Sequence, residues 1–353
     1  MLKVLYFQAF QISIEWSGEG HDMIGSIAVT NMSPEATTFV CSILQLTCPL
    51  QPHMPELGRW ADNPPDELKS TRKQHYTNIA YRKCVFDSSR DCGEDCTVTA
   101  LMRYIITSMD ENASKGERQT AIRMIIHLVG DMHNPVHMGY LADRGGNNIP
   151  ISGFVGQTIP VNLHNVWDYH IPIRFKDTLF VQNFPPPQRD DRVDMFLAAF
   201  PQKKVNMAAL QVSLKNLLTG IASETTAYVC QAYRHVANDG SGQGPWIKSG
   251  DALTPNYMNQ MEVVVKDRIS KAGVRLAKIF DFVSTHQLSH STDPKPPPGD
   301  AGSLSTNQDI DPVAGGPLST NQDIDPVAED PKAAFKDNPI LIVLLVCISV
   351  YMI

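Results

Sequence analysis

Histidine and aspartate recur in this chain at spacings suited to holding metal ions. His127-Leu-Val-Gly-Asp131 and His164-Asn-Val-Trp-Asp168 each place a His four residues before an Asp. Residues four apart on a helix project from one face, so each pair can point at a common ion. His137 follows Asp131 just past the Pro135 break, where the chain can turn back toward the same space. Gly20-His21, Trp60-Ala-Asp62 and His75 add further donors upstream. Neutral imidazole and carboxylate are the nitrogen and oxygen ligands that zinc accepts, and a carboxylate can bridge two ions. One H-x-x-x-D alone is ordinarily a helix-surface pair, and a His after an apolar run is ordinarily a core residue. Two such pairs among apolar neighbours are different, because burying that many polar groups is costly without a partner. If Trp16 begins the mature chain, its free amine is one more ligand. The chemistry expected is metal-assisted phosphoester hydrolysis.

Helices must position these residues. Pro34–Leu46 reads as a helix capped by Ser33, and His21–Val29 as an apolar-rich one before it. Cys96–Met109 and Glu117–Met132 show helical periodicity, with Ile122, Ile125, Ile126 and Val129 forming one apolar face. Asn134-Pro135 ends the second of these, since Pro disfavours helical geometry just before it. Asn148–Pro160, after the Gly145-Gly146-Asn147 turn, suggests a short β-hairpin. Long helices are expected at Val205–Val236 and Asn256–His286. The fold class expected is mainly α.

Composition bounds the function. With 353 residues and 42% hydrophobic content, the chain can build one large domain plus appendages. A formal charge of −7 argues against a basic groove that tracks duplex phosphates. Positive charge for handling phosphate would have to be local, and metal ions supply it. Of the seven cysteines, Cys347 lies in an apolar tail, and none of the rest forms C-x-x-C, so a Cys-ligated zinc is not expected. The polar stretch Cys84–Cys96 looks like a stapled loop, which points to an oxidising compartment. Sequons at Asn31 and Asn112 agree with that compartment.

The chain divides into a poor leader-like segment (1–15, ending in Glu15), a catalytic domain (16–290), a stalk (291–338) and an apolar tail (339–353). The stalk carries LSTNQDIDPVA twice, at 304–314 and 318–328, and its polar composition cannot offset ordering entropy. The tail is shorter than the roughly 20 residues of a spanning helix. It falls within the about 10–20 residues of a GPI signal. Either would tether the domain to a membrane, so the expected location is the secretory pathway, anchored outside the cell or secreted.

Taken together, WxxxGH from Trp16, WAD, HLVGDxxxPxH, GGN and NLHxxWD make the chain resemble the S1/P1 nucleases, zinc-dependent single-strand nucleases and 3′-nucleotidases. The resemblance spans roughly Trp16 to His286. The stalk and tail are similar to the surface-anchored 3′-nucleotidase/nucleases of trypanosomatids. The family implies a helical fold shared with zinc-dependent phospholipase C, a monomeric catalytic domain and three zinc ions. By position, Asp62, His75, His127 and Asp131 would hold the first. His137, His164 and Asp168 would hold the second. The Trp16 amine and carbonyl, His21 and a bridging Asp131 would hold the third. Asp62 and Asp131 are the carboxylates taken as catalytic. A water between two ions would attack the phosphorus, leaving a 5′-phosphate on the product. The family also implies disulfides Cys84–Cys230 and Cys92–Cys96, with Cys41 and Cys48 either an extra pair or free. Substrates would be single-stranded DNA and RNA and 3′-nucleotides, with Tyr76 stacking on a base, Asn78 at its edge and Asn147 supporting the site.

Two departures stand out. Pro65 occupies the position of a family Arg, leaving Lys69, Arg72 or Lys73 to substitute, and Asn78 replaces a family acid. Zinc phospholipase C and a catalytically impaired surface adhesion protein that keeps the zinc fold are the alternative functions. His53, His133, His170 and His235 are read as structural, and Trp60 and Trp167 as packing.

Overall fold

The computed structural model describes residues 18–154, 161–176, 190–237 and 242–289. All of them belong to the first of the two units into which the chain divides, Met1–Asp293. Trp16, the leader, the stalk with its repeat, and the apolar tail lie outside the described residues. Among the described residues, no helix is long and apolar enough to cross a membrane.

The molecule is mainly helical, as the periodicity predicts. Its helices are α1 (Gly18–Asn31), α2 (Pro34–Leu44), α3 (Met54–Arg59), α4 (Ser88–Asp91), α5 (Thr97–Met109) and α6 (Lys115–Met132), then α7 (Leu163–Asn165), α8 (Asp191–Ala198), α9 (Met207–Thr226), α10 (Val229–Ala232) and α11 (Pro255–Thr285). Local sequence explains the boundaries of the long ones. Ser33 caps α2 by accepting from the Ala36 amide, with Pro34 in the first turn. Ser114 and Glu117 form a reciprocal capping box on α6. Thr254 and Pro255 open α11 in the same way as α2 opens.

α6 is the structural centre. From Ala121 to Met132 it buries every residue but Arg123, and it packs on α5, α2, α3 and α11. α11 runs along α1, where a Cβ at Gly273 would meet the Ile27 side chain at 2.5 Å, so only glycine allows the two axes this close. Strands are few and short. β1 (Pro150–Ile151), inside the Asn148–Pro160 stretch expected to form a hairpin, pairs antiparallel with β2 (Val161–Asn162), which lies just past that stretch. β3 (Lys204–Asn206) pairs in parallel with β6 (Gln287–Ser289), and β4 (Arg234–Val236) antiparallel with β5 (Gln243–Trp246).

The single helix expected over Val205–Val236 is corrected. Val205 belongs to β3, α9 stops at Thr226, and the chain re-forms as α10 before entering β4. The Thr226 hydroxyl donates to the Ser223 carbonyl, a local bond that competes with helix continuation. Pairing with β5 and β6 then overrides helical periodicity at both ends.

Disulfides join Cys41–Cys48, Cys84–Cys230 and Cys92–Cys96, with Cα–Cα separations of 6.0, 5.7 and 5.3 Å. Cys41 and Cys48 are therefore paired rather than free. Of the two sequons, Asn112 is exposed in the turn between α5 and α6, while the Asn31 amide donates back to the Ile27 carbonyl.

Candidate metal centre

α6 carries the centre. His127 and Asp131 project from one face, and His127 Nε2 lies 3.0 Å from Asp131 Oδ2. The helix ends at Met132, the turn through Asn134-Pro135 reverses the chain, and His137 returns to 3.3 Å from Asp131 Oδ1. His21, from α1, approaches the same oxygen at 3.5 Å. His75 closes the 3-10 segment Asp66–His75 and reaches Asp131 Oδ2 at 3.1 Å. Asp62, in the 3-10 turn Trp60–Asp62, lies 3.3 Å from His127 Nε2. His164 and Asp168 sit on α7 and the π-helical turn after it, 2.9 Å apart, with His137 Nε2 3.5 Å from Asp168. All the predicted ligands except Trp16 thus converge. They form three groups able to hold an ion: His21, His127 and Asp131; Asp62, His75 and His127; and His137, His164 and Asp168. Asp131 spans them, one oxygen toward His75 and His127 and the other toward His21 and His137.

The surrounding backbone orients the imidazoles. His127 Nδ1 donates to the Gly58 carbonyl at 2.6 Å, and His164 Nδ1 to the Gly145 carbonyl at 2.7 Å. A carbonyl only accepts, so the hydrogen sits on Nδ1 and the Nε2 lone pair faces the cluster, as a metal-ligating His requires. Glycines make room for these rings. A Cβ on Gly130 would sit 2.9 Å from two atoms of the His21 ring, and Gly145, at φ 66°, lies under His164.

The chemistry of the donor set fits a cation. Both His21 ring nitrogens, both Asp131 carboxylate oxygens, His137 Nε2 and Asp168 Oδ2 are buried without hydrogen-bond partners. Such atoms are costly unless something else satisfies them. Burial alone would lower the pKa of His137, yet Asp131 and Asp168 raise it well above its ordinary value. Burial would raise Asp131, but His127 and His137 hold it well below. A field that stabilises positive charge on His137 will stabilise a metal ion in the same place. His21 is held down to about 4 by burial and by His127, so it stays a neutral ligand well into acid.

Beside the centre opens a pocket lined by His75, Tyr76, Asn78, Val136, His137, Leu141, Arg144, Gly145, Asn147 and His164. The three substrate residues expected from sequence line this one pocket with the ligands. Tyr76 is 44% exposed, so its ring is available for stacking. Asn147 donates to the Arg144 carbonyl and accepts from Asn162, which braces the turn.

The family model S1/P1 Nuclease matches residues 16–284. The chain belongs to the S1/P1 nuclease family. Within it, the chain is 25% identical to Nuclease S1 of Aspergillus oryzae over 286 residues, covering 78% of this chain and 94% of that protein. It is 25% identical to Endonuclease 2 of Arabidopsis thaliana over 279 residues, 76% and 90% of the two chains. Against Nuclease P1 of Penicillium citrinum identity is 30% over 165 residues, 44% and 58%. The protein is accordingly a hydrolase of the S1/P1 nuclease type.

Some residues escaped the sequence reading. Lys69 and Lys73 pair with Asp66 and Asp95, each at 2.5 Å, and neither they nor Arg72 lines the pocket. The cation that does is Arg144, whose only sequence signal was its place before the glycine turn. Asn134, read only as a helix stop, is fully buried and donates to Asp168 Oδ1 at 2.6 Å. Of the histidines read as structural, His133 donates from Nδ1 to the Val129 carbonyl and accepts from Arg275 at Nε2. Trp167 is fully buried and donates to the Tyr257 hydroxyl, and Trp60 lies under Arg123.

Proposed function

We propose that the protein is a zinc-dependent single-strand nuclease that also removes phosphate from 3′-nucleotides. The observation that carries this reading is a buried set of His and Asp donors converging around one carboxylate, Asp131, and opening directly into a pocket with an exposed aromatic ring. The ligand sets are those given by position: Asp62, His75, His127 and Asp131; His137, His164 and Asp168; and His21 with Asp131 and the Trp16 amine. Zinc bound there supplies Lewis acidity toward phosphoryl oxygens and makes water nucleophilic near neutral pH.

The chain's own groups do the rest. Asn134 fixes the Asp168 carboxylate, while the Gly58 and Gly145 carbonyls fix the tautomers of His127 and His164. Tyr76 offers a face for an unpaired base, and Asn78 an amide for its edge, which a base in a duplex stack cannot reach. Arg144 stands at the pocket as a permanent cation for a substrate phosphate, a role that Pro65 cannot fill.

The test uses the full chain on single-stranded DNA, on RNA and on 3′-AMP, with zinc content measured by elemental analysis. Hydrolysis of at least one substrate, lost in chelator and restored by zinc, is the expected result. Cleavage of phosphatidylcholine with none of the three nucleic-acid substrates would instead establish a phospholipase. Amino-terminal sequencing that finds a start other than Trp16 would remove the amine ligand.

A further inference from the structure

The surface beside the pocket carries a second arrangement. From Asn78 the chain bridges Ile79 to Tyr140 and turns outward at Tyr81-Arg82. Arg82 holds φ at 58°, a left-handed conformation uncommon outside glycine, asparagine and aspartate. Tyr81 is 58% exposed, its ring edge-on to Tyr140 at 5.3 Å, and Tyr140 precedes the pocket residue Leu141. The Arg82 guanidinium lies 5.1 Å from the Tyr81 ring centre and 5.2 Å from that of Trp246. Arg234 lies 4.3 Å from the same indole, because Arg234 and Trp246 are direct cross-strand partners on β4 and β5. Lys83 is exposed next to Arg82. Among the described residues, no carboxylate forms an ion pair with Arg82, Lys83 or Arg234, in a chain whose net charge is −7. The Cys84–Cys230 disulfide ties the Tyr81-Arg82 turn to the segment leading into β4, so both halves of the arrangement are held together.

We propose that Tyr81, Arg82, Arg234 and Trp246 form a stacking platform for single-stranded nucleic acid, engaging the strand next to the nucleotide seated in the pocket. Aromatic faces accept any base, and guanidinium groups layered between them can pair with backbone phosphates while stacking. Continuity with the pocket through Asn78–Tyr81 and Tyr140–Leu141 sets the occupant as the same strand. The inference rests on the nucleic-acid reading above and adds to it that a polymer is held at more than its scissile nucleotide.

The test compares the full chain with Tyr81→Ala/Arg82→Ala, both exposed positions, and with Tyr81→Phe, which keeps the ring. For an oligothymidylate of about ten nucleotides, KM in the double variant should rise about tenfold at similar kcat. KM for 3′-AMP, too short to reach the platform, should move by less than roughly twofold, and Tyr81→Phe should behave like the parent. An unchanged oligonucleotide KM, or an equal rise for both substrates, would overturn the platform. Fluorescence anisotropy of a labelled oligothymidylate in chelator reads binding without turnover. There, weaker binding by the double variant supports the platform even if the parent hydrolyses nothing, whereas equal binding overturns it. Loss of all hydrolysis by the parent counts against the function reading alone.

Discussion

Asn134 shows how much depends on one uncharged side chain at the centre. Its amide orients Asp168 while its own oxygen accepts from the Val136 amide, so one residue locks both a candidate ligand and the turn that returns His137. Asn134→Ala should lower zinc affinity or kcat/KM by about 10–100-fold, the usual cost of removing a group that orients a ligand. Zinc titration followed by kinetics checks this, and an unchanged affinity with unchanged rate would refute it. Gly130 matters by absence. The methyl of Gly130→Ala would press on the His21 ring, so the expected outcome is selective loss of the ion that His21 holds. Elemental analysis should find fewer zinc ions per chain than in the parent, with the His164 group still loaded.

At the scale of elements, a buried charge cluster clamps α8, α9 and α11 to the end of α6. Arg268 and Arg275, on α11, are essentially inaccessible, and both pair with Glu224 of α9. Arg275 also meets Asp190, the α8 cap, and His133 just past Asp131. Burial raises the Glu224 pKa, but Arg268 and Arg275 more than reverse this and hold it far below its ordinary 4.5. A carboxylate whose folded pKa is depressed contributes stability above its unfolded pKa, and that contribution is lost as pH falls through the folded value. Denaturant midpoints should therefore decline below about pH 4.5. Glu224→Gln should flatten that decline while costing about 1–3 kcal/mol at neutral pH, because it removes the charged acceptor that both buried arginines share and leaves Arg275 to Asp190 and Arg268 to Asp267. Parallel pH profiles for the two proteins would show that the cluster is not the source.

For the whole molecule, disulfides act as staples on one helical body, and metal bound at the His/Asp groups would add to them. The candidate ligands come from α1, α6, α7 and the 3-10 segments between α3 and α4, so an ion held among them would link parts of the chain far apart in sequence. Binding free energy of this kind is also folding free energy. Chelator should lower the melting temperature, and acid should do the same by protonating the ligands. A melting curve indifferent to chelator at neutral pH would rule out a structural contribution from metal. Cys84–Cys230 closes a loop of sequence separation 146, and its removal should cost about 2–5 kcal/mol, read from urea unfolding of Cys84→Ser/Cys230→Ser.

The candidate His and Asp donors were legible in the chain itself, because His and Asp four apart on a helix share a face whatever surrounds them. Helices α2, α6 and α11 were equally legible, since Ser33, Ser114-Lys-Gly-Glu117 and Thr254-Pro255 are local signals that need no tertiary partner. Other features depended on distant contacts. Arg234–Val236 reads as helix until β5 pairs with it, and Asn134 reads as a stop until Asp168 arrives from 34 residues away. The Cys41–Cys48 pairing, the place of Arg144 at the pocket and the layering of Arg82 between Tyr81 and Trp246 were likewise decided only by the folded chain. Spacing along a chain specifies what one helix face presents. Which faces meet is set by packing, and around Asp131 packing brings together donors from four separate stretches of sequence.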